Sequence, residues 1–187
     1  MSLNFTKIAE EHQLAIDSVI EQQDKIEQAT GQIIHALKNN KKVLWCGNGG
    51  SAAEAQHMAA ELMVRYVKNR QPLASLALTN DTSILTAHPN DYEFETVFSR
   101  QVQGLGQIGD ILIGMTTSGK SQNVLQAFRV AKEKGIFTIA LVGQNSKQIE
   151  ADSDLVITVK SNKTARIQEG HTFINHLICE LLDLAFD

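Results

Sequence analysis

Apolar residues in the first forty positions recur three or four residues apart, with charged and glutamine residues between them. This spacing predicts helix from about Leu3 to Asn40, and Gly31 is a candidate break between two helices. Farther along the chain, five short apolar runs predict buried strands. They are Val43 to Cys46, Leu73 to Leu78, Asp110 to Met115, Ile136 to Val142 and Asp154 to Val159.

Helices are predicted after three of these strands, at about Ala52 to Lys68, Ser121 to Lys134 and Thr164 to Ala185. Strands that alternate with helices indicate a parallel sheet covered on both faces. We therefore predict an α/β fold, a single doubly wound domain over residues 1–187 with a mainly parallel five-stranded sheet. Residues 1–40 form a helical extension, and residues 41–187 form the α/β core with its long C-terminal helix.

Composition narrows the class of protein. The 187 residues suffice for one domain with a sizeable core, and 43% hydrophobic residues argue against disorder. A net charge of −4 without a Lys/Arg-rich run argues against a nucleic-acid groove. The two cysteines lack metal-type spacing, which favours a reducing cytoplasm. The N-terminus has no signal-peptide pattern and no segment reaches ~18 apolar residues, so no membrane contact is expected.

The first motif that carries chemistry is Cys46-Gly-Asn-Gly-Gly-Ser51, between a predicted strand and a predicted helix. Glycines there allow a sharp turn and a close approach to a ligand, and the helix N-terminus offers free N–H groups to an anion. A tight turn with Ser51 capping the helix would give the same pattern. The motif matches neither the dinucleotide fingerprint nor the P-loop, so no nucleotide is expected.

The second motif is Thr116-Thr-Ser-Gly-Lys-Ser121, again between a strand and a helix. Its four hydroxyls and one glycine suit a phosphate monoester, whose oxygens accept several hydrogen bonds. Ser118 or Ser121 alone could also serve as a simple helix cap, which would require only one hydroxyl.

Two predicted helices carry polar faces beside apolar stripes. On the first, the polar face comprises Glu54, His57, Glu61, Arg65 and Lys68. His57 and Glu61 are i, i+4 neighbours and can reach one metal ion or one substrate, although a solvated face would show the same spacing. The C-terminal helix has an apolar stripe at Ile167, Ile174, Ile178, Leu181 and Ala185 and carries Gln168, Thr172 and His176 to one side. His171 falls with the stripe and is expected to be a core histidine.

These motifs together resemble the sugar isomerase (SIS) family, and within it the phosphoheptose isomerases. The strand–Thr-Thr-Ser-Gly-Lys-Ser–helix unit is similar to the phosphate loop of the family. The likeness to phosphoheptose isomerases rests on Cys46–Ser51, Gln56-His57, Glu61, Arg65-Tyr66, Asn90-Asp91 and Arg166–Glu169. It extends from about Val43 to the end of the chain.

The resemblance implies an acid/base pair, Glu61 and His176, and one labile zinc ion per site. The zinc ligands that it implies are His57, Glu61, Gln168 and His176. The substrate-binding residues that it implies are Asn48, Gly49, Gly50, Ser51, Glu61, Arg65, Asn90, Asp91, Thr116, Thr117, Ser118, Ser121 and Gln168. It also implies a cytoplasmic homotetramer whose sites contain residues of more than one chain.

The implied reaction is isomerisation of D-sedoheptulose 7-phosphate to D-glycero-D-manno-heptose 7-phosphate, in the supply of heptose for lipopolysaccharide. One alternative is a tetrameric relative that binds the bacterial replication initiator and lacks the acid/base pair. Ser51–Gln56 and Thr164–Arg166 look like that relative, and Ala165 stands where an acidic residue is expected. The presence of Glu61 and His176 favours the enzyme. A regulatory SIS module that binds a sugar phosphate without turnover is a second alternative.

Overall fold

The computed structural model describes residues 3–186 as an α/β sandwich. The strands are β1 (Val43–Gly47), β2 (Ser75–Ala77), β3 (Ile111–Thr116), β4 (Phe137–Val142) and β5 (Leu155–Thr158). The helices are α1 (Phe5–Ile20), α2 (Gln23–Lys38), α3 (Gly50–Met63), α4 (Thr82–Asp91), α5 (Val97–Leu105), α6 (Gln122–Glu133), α7 (Lys147–Glu150) and α8 (Thr164–Ala185), with a 3-10 turn at Phe94–Thr96. No helix in the described range is long and apolar enough to cross a membrane.

The five strands form one parallel sheet in the order β2-β1-β3-β4-β5. Alternate strand residues face opposite sides, so Trp45 and Ile113 pack with α1, α2, α3 and α8, whereas Leu44 and Leu112 pack with α5 and α6. Burial on both faces explains the continuous apolar runs in the sequence. The predicted doubly wound five-stranded sheet is confirmed.

The N-terminal helical segment divides at Glu21–Gln22, not at Gly31 as predicted. Gly31 lies inside α2 with open space around it. The break between the helices places Gln22 beside the edge strand β5. The Gln22 side chain accepts a hydrogen bond from Thr158 N (3.1 Å) and donates one to Thr158 O (2.6 Å). A side-chain amide thus satisfies the backbone of edge strand β5, which a neighbouring strand would otherwise do.

The predicted helix over Ala52–Lys68 is wrong at its end, because α3 stops at Met63. The chain then turns under a buried ion pair between Arg70 and Asp183 (2.9 Å). Asp183 also accepts hydrogen bonds from the backbone N–H groups of Val67 and Lys68. A partner more than one hundred residues away therefore overrides the local helix pattern.

The region between β2 and β3 was assigned no element from the sequence, yet it contains α4 and α5. Asp81 caps α4 by accepting from Ser83 N and Ile84 N, and Pro89 lies inside the helix. By contrast, α8 has the predicted bounds, and the buried stripe at Ile167, Ile174 and Ile178 is confirmed.

The Arg70–Asp183 pair yields the first prediction. Arg70→Ala should lower the free energy of unfolding by about 3–5 kcal/mol, because it leaves a carboxylate buried without its cation. Burial raises the pKa of Asp183, but hydrogen bonds from Lys68 N and Arg70 outweigh it and the pKa is lowered. This contribution to stability is therefore present above the ordinary aspartate range and is lost as the pH falls through the lowered pKa.

Urea denaturation at neutral pH measures the loss. Arg129→Ala is the matched control, since Arg129 pairs with Asp152 on the surface and should cost no more than about 1 kcal/mol. Equal losses in the two variants would contradict a special role for the buried pair.

Candidate active site

Helices α3 and α8 lie side by side and run in the same direction. At their starts, the Gln168 amide packs against Gly50, where a Cβ atom would come within 2.4 Å of Gln168 Nε2. Farther along, Asn175 Nδ2 donates to Glu54 Oε1 at 2.9 Å. Beyond the end of α3, Tyr66 contacts Glu180. Glycine at position 50 therefore permits the close approach that aligns the polar faces of the two helices.

A compact group of polar side chains forms between these helices at His57, Glu61 and His176. His57 Nε2 lies 3.2 Å from Glu61 Oε1, and its Nδ1 lies 3.4 Å from Glu54 Oε2. The His57 and His176 rings meet edge to face, with centroids 5.3 Å apart. The two residues expected to act as acid and base, Glu61 and His176, thus both contact His57, although their helices are far apart in sequence.

Tyr66 completes one side of this group, and the sequence reasoning gave it no role in the site. Its ring centroid lies 5.7 Å from that of His176, and its hydroxyl donates to Glu180 Oε1 at 3.2 Å. Burial and the Glu180 carboxylate raise the pKa of Tyr66. The His176 imidazole is therefore flanked by two rings, which restrict its orientation.

Gln168 does not join the group within one chain. It precedes His176 by about two helical turns, or ~12 Å along α8, and lies beside Gly50. Among residues 3–186, no group of three or more His, Cys, Asp or Glu side chains is arranged to hold a metal ion. The expected ligand types are present, but one chain does not bring the four together.

The second motif forms a loop of hydroxyl groups at the end of β3. Ser121 is the N-cap residue of α6, but its side chain makes no capping hydrogen bond and instead lies 2.9 Å from Thr116 Oγ1. Gly119 has φ +66° and lies against the loop after β4, where a Cβ atom would come within 2.3 Å of Asn145 O. Because the cap interpretation fails for Ser121, the first N–H groups of α6 remain directed at a possible anion.

The two glycine-containing loops are joined through a pair of asparagines. Asn48 Nδ2 donates to Asn123 Oδ1 at 2.9 Å, and Asn123 Nδ2 donates to Asn48 Oδ1 at 2.8 Å. Gly49, with φ +57°, precedes the first turn of α3, where Ser51 is buried. The carboxyl ends of β1 and β3 thus present one continuous polar edge, as open α/β sheets do at their ligand sites.

Arg65, Asn90 and Asp91 are exposed and stand apart from this edge. Arg65 donates to Val67 O, and Asn90 donates to Asp91 Oδ1. No hydrogen bond or ion pair described in residues 3–186 joins any of the three to the histidine group. Ala165, where an acidic residue was expected, is exposed, and the neighbouring Arg166 pairs with Glu169 instead.

Comparison with known proteins identifies the family of the chain. The family model described as "SIS domain" matches residues 9–143. A protein of Nitratiruptor sp. named phosphoheptose isomerase is 51% identical over 177 residues, covering 94% of this chain and 95% of the relative. One of Neisseria meningitidis with the same name is 50% identical over 159 residues, covering 83% and 81%.

Solved structures agree with the sequence comparison. A phosphoheptose isomerase from Neisseria gonorrhoeae superposes with a TM-score of 0.88 at 42% identity, covering 96% of each chain. Another from Francisella tularensis gives 0.90 at 35% identity, covering 96% of this chain and 95% of that one. The sugar isomerase domain of an RpiR transcription factor from Sphaerobacter thermophilus shares the fold alone, with a TM-score of 0.69 at 16% identity. The chain therefore belongs to the SIS-domain family and, within it, to the phosphoheptose isomerases.

Proposed function

We propose that this protein is an aldose–ketose isomerase that converts D-sedoheptulose 7-phosphate to D-glycero-D-manno-heptose 7-phosphate. The observation that carries the proposal is the group formed by His57, Glu61 and His176 between α3 and α8. It occurs in a chain about half identical to proteins named phosphoheptose isomerase. This reaction requires a base and a second proton carrier near two adjacent carbons, which such a group can supply.

The proposed chemistry moves two protons. Glu61 removes the carbon-bound proton from C1 of the ketose, and the C1–C2 enediol forms as the carbonyl electrons move onto O2. His176 transfers the hydroxyl proton from O1 to O2, and Glu61 returns its proton to C2. His57, held next to Glu61 at 3.2 Å, orients the carboxylate, and the edge contact with His57 orients His176.

The phosphate group is proposed to bind in the hydroxyl loop. Thr116, Thr117, Ser118 and Ser121 offer hydroxyls, and α6 offers its free N–H groups. Gly50, Ser51 and Gln168 line a small cavity between the starts of α3 and α8, and Asn48 joins the two loops through Asn123. Together with Gly49, these residues are proposed to contact the sugar. Binding the remote phosphate supplies energy that orients the reacting carbons.

Zinc is proposed as the metal of this site, with the implied ligands His57, Glu61, Gln168 and His176. The first two and His176 lie in one group, but within residues 3–186 of one chain their side chains are not arranged around an ion. Imidazole and carboxylate groups are ordinary zinc ligands, so the donor chemistry of these three residues fits. A bound divalent ion polarises a carbonyl and stabilises negative charge on the enediolate oxygens. Gln168 lies too far along α8 to be assigned from one chain, and its place in the set depends on a second subunit.

A homotetramer is proposed because a single chain leaves both the histidine group and an apolar cleft exposed to solvent. The His57 side chain is 41% exposed, and exposed groups are poorly suited to tuned acid/base chemistry. An apolar cleft of about 290 Å³ runs between the ends of α1 and α2 and the side of α8, next to exposed Ile20. Packing of a second copy there would enclose the site and could bring Arg65, Asn90 and Asp91 toward the sugar.

The initiator-binding alternative is not favoured. Both Glu61 and His176 are present and lie in one group with His57. The relatives that match most of the chain at about half identity are named phosphoheptose isomerase. We place the proposed enzyme in the cytoplasm, in heptose synthesis for lipopolysaccharide.

Replacing Glu61 by Gln is the test of the catalytic role. The change keeps the size and helix propensity of the side chain but removes the carboxylate. Isomerisation of sedoheptulose 7-phosphate should fall at least ~10²-fold, while thermal stabilisation by the substrate persists through the phosphate loop. Glu133→Gln, which changes an exposed residue at the end of α6, is the control and should leave turnover unchanged.

Zinc content is measured on the same preparations by equilibrium dialysis. Loss of a negative ligand should weaken zinc retention in Glu61→Gln relative to the native protein and to Glu133→Gln. Near-normal turnover in Glu61→Gln would remove this residue from the mechanism, and equal zinc binding in all three proteins would remove it from the ligand set.

The phosphate loop is tested by Ser118→Ala combined with Ser121→Ala. Each lost hydrogen bond to a charged group is worth roughly 1.5–3 kcal/mol, so KM should rise at least tenfold. Folding should be unaffected because neither hydroxyl packs in the core. Inorganic phosphate should stabilise the native protein and Ser83→Ala against heat, but not the double variant. Unchanged affinity in the double variant would exclude these hydroxyls from the phosphate site.

The subunit arrangement is tested by light scattering at the assay concentration. The native protein should be a tetramer, and Ile20→Glu should shift it to smaller species with reduced turnover, because a charge would be buried in the apolar cleft. Leu105→Glu changes an exposed residue on α5 and is the control. A fully active monomer would contradict the shared-site proposal.

A further inference from the structure

A small cavity lies between the first turns of α3 and α8, below the polar edge of the sheet. It encloses about 70 Å³, and its walls include Ser51 and Glu54 from α3, Met115 from β3, and Gln168 and His171 from α8. Ser51 and Gln168 also border the proposed sugar cleft. The cavity is therefore the inner part of the proposed sugar site, and Glu54 links it to the His57–Glu61–His176 group, because Glu54 Oε2 lies 3.4 Å from His57 Nδ1.

His171 is the unusual member of the wall. Only 1% of the residue is exposed, and neither ring nitrogen makes a hydrogen bond of good geometry within residues 3–186. Burial lowers the pKa of His171 to about 4, although hydrogen bonding toward the Val142 backbone carbonyl and the charge of Glu54 oppose this effect. At neutral pH the ring is uncharged, so one nitrogen is a donor and the other an acceptor. The donor faces the Val142 carbonyl outside ordinary hydrogen-bond geometry, and the acceptor has no partner among the described residues.

Asn175 stands one turn farther along α8 and shares this property. Its Nδ2 donates to Glu54 Oε1 at 2.9 Å and lies 3.6 Å from Met115 Sδ, so it contacts two side chains of the cavity wall. Its Oδ1 is fully buried and unpaired among the described atoms. Leaving such groups without partners is costly, so a polar occupant is expected beside them.

The charge and hydrogen-bonding groups of the cavity wall indicate which kind of ligand the cavity can bind. Glu54 repels an anion, and the volume is too small for a phosphate together with its hydrogen-bond shell. A hydroxyl group can donate to the acceptor nitrogen of a neutral histidine and can accept from another neighbour in the wall. Since one water molecule occupies about 30 Å³ in the liquid, the cavity has room for a single CHOH unit or about two waters.

We propose that this cavity is a neutral hydroxyl subsite in which His171 recognises one hydroxyl of the substrate's carbon chain. The subsite rests on the proposed function, because the hydroxyl belongs to the sugar phosphate that the site would isomerise. It selects among ketose phosphates by the position and configuration of that hydroxyl. His171 is therefore a specificity residue of this chain, and Asn175 holds Glu54 in the cavity wall.

The test is a double-mutant-type cycle in which one substrate hydroxyl and the His171 side chain are removed separately and together. Sedoheptulose 7-phosphate and analogues lacking one hydroxyl at C3, C4, C5 or C6 are assayed with the native protein and with His171→Phe. In the native protein, one analogue should lose at least tenfold in kcat/KM, since a site built to bind a hydroxyl rejects its absence strongly. In His171→Phe that penalty should shrink to less than about twofold, as expected for two coupled partners.

His35→Phe, an exposed histidine on α2, is the control and should show the native pattern. The same penalty for every analogue in native and His171→Phe proteins would overturn the subsite. Turnover of sedoheptulose 7-phosphate by the native protein is recorded first, so failure of the proposed function is distinguished from failure of the subsite.

A crystal structure of the native protein with sedoheptulose 7-phosphate tests the same point without relying on the folding of a variant. A substrate hydroxyl oxygen within hydrogen-bond distance of a His171 ring nitrogen is the expected result. A cavity filled only by water, with all substrate hydroxyls elsewhere, would show that His171 binds a structural water and would overturn the proposal.

Discussion

The site depends on the close parallel packing of α3 against α8. Gly50 allows the start of α8 to approach the α3 backbone, and the Arg70–Asp183 pair holds the chain where α3 ends. Between these two points, the polar faces of both helices meet instead of facing water. Side chains separated by more than one hundred residues in sequence, such as His57 and His176, consequently come within contact distance.

This packing lowers the stability of the helix interface, because it buries polar atoms that an apolar interface would not contain. His171 and Asn175 place polar atoms where apolar side chains would stabilise the interface. Three of those atoms make no hydrogen bond of ordinary geometry within the described residues, although His171 faces the Val142 carbonyl. Apolar packing on the same helix, through Ile174 and Ile178, supplies the stability that tolerates them. Such local violations of polar pairing concentrate at functional sites, which is consistent with a substrate hydroxyl as the missing partner.

The sequence predicted the sheet and α8 because their signals are local. Continuous apolar runs mark buried parallel strands, and the 22 residues of α8 keep one apolar stripe throughout. The end of α3 was not predictable, because it depends on Asp183 far along the chain. The break at Gln22 was missed for the same reason, since its partner is the backbone of Thr158.

The site shows the same division. The pairing of His57 with Glu61 follows from helical spacing within α3. His176 was chosen by resemblance, and only the packing of α8 against α3 shows that it lies beside His57. The rise of an α-helix predicts from the sequence that Gln168 and His176 are separated by about two turns along α8. Tyr66 lies beyond the end of α3, and the sequence had placed it with the apolar stripe of a longer helix, so its contact with His176 was not predicted.

Isomerisation in D₂O followed by nuclear magnetic resonance tests the central claim, proton transfer through an enediol, most directly. The account predicts that sedoheptulose 7-phosphate is converted to the aldose and that solvent deuterium appears at C2 of the product. Conversion without deuterium at C2 would contradict exchange of the transferred proton with solvent on Glu61. No conversion by the zinc-supplied native protein, with substrate bound, would contradict the isomerase assignment itself.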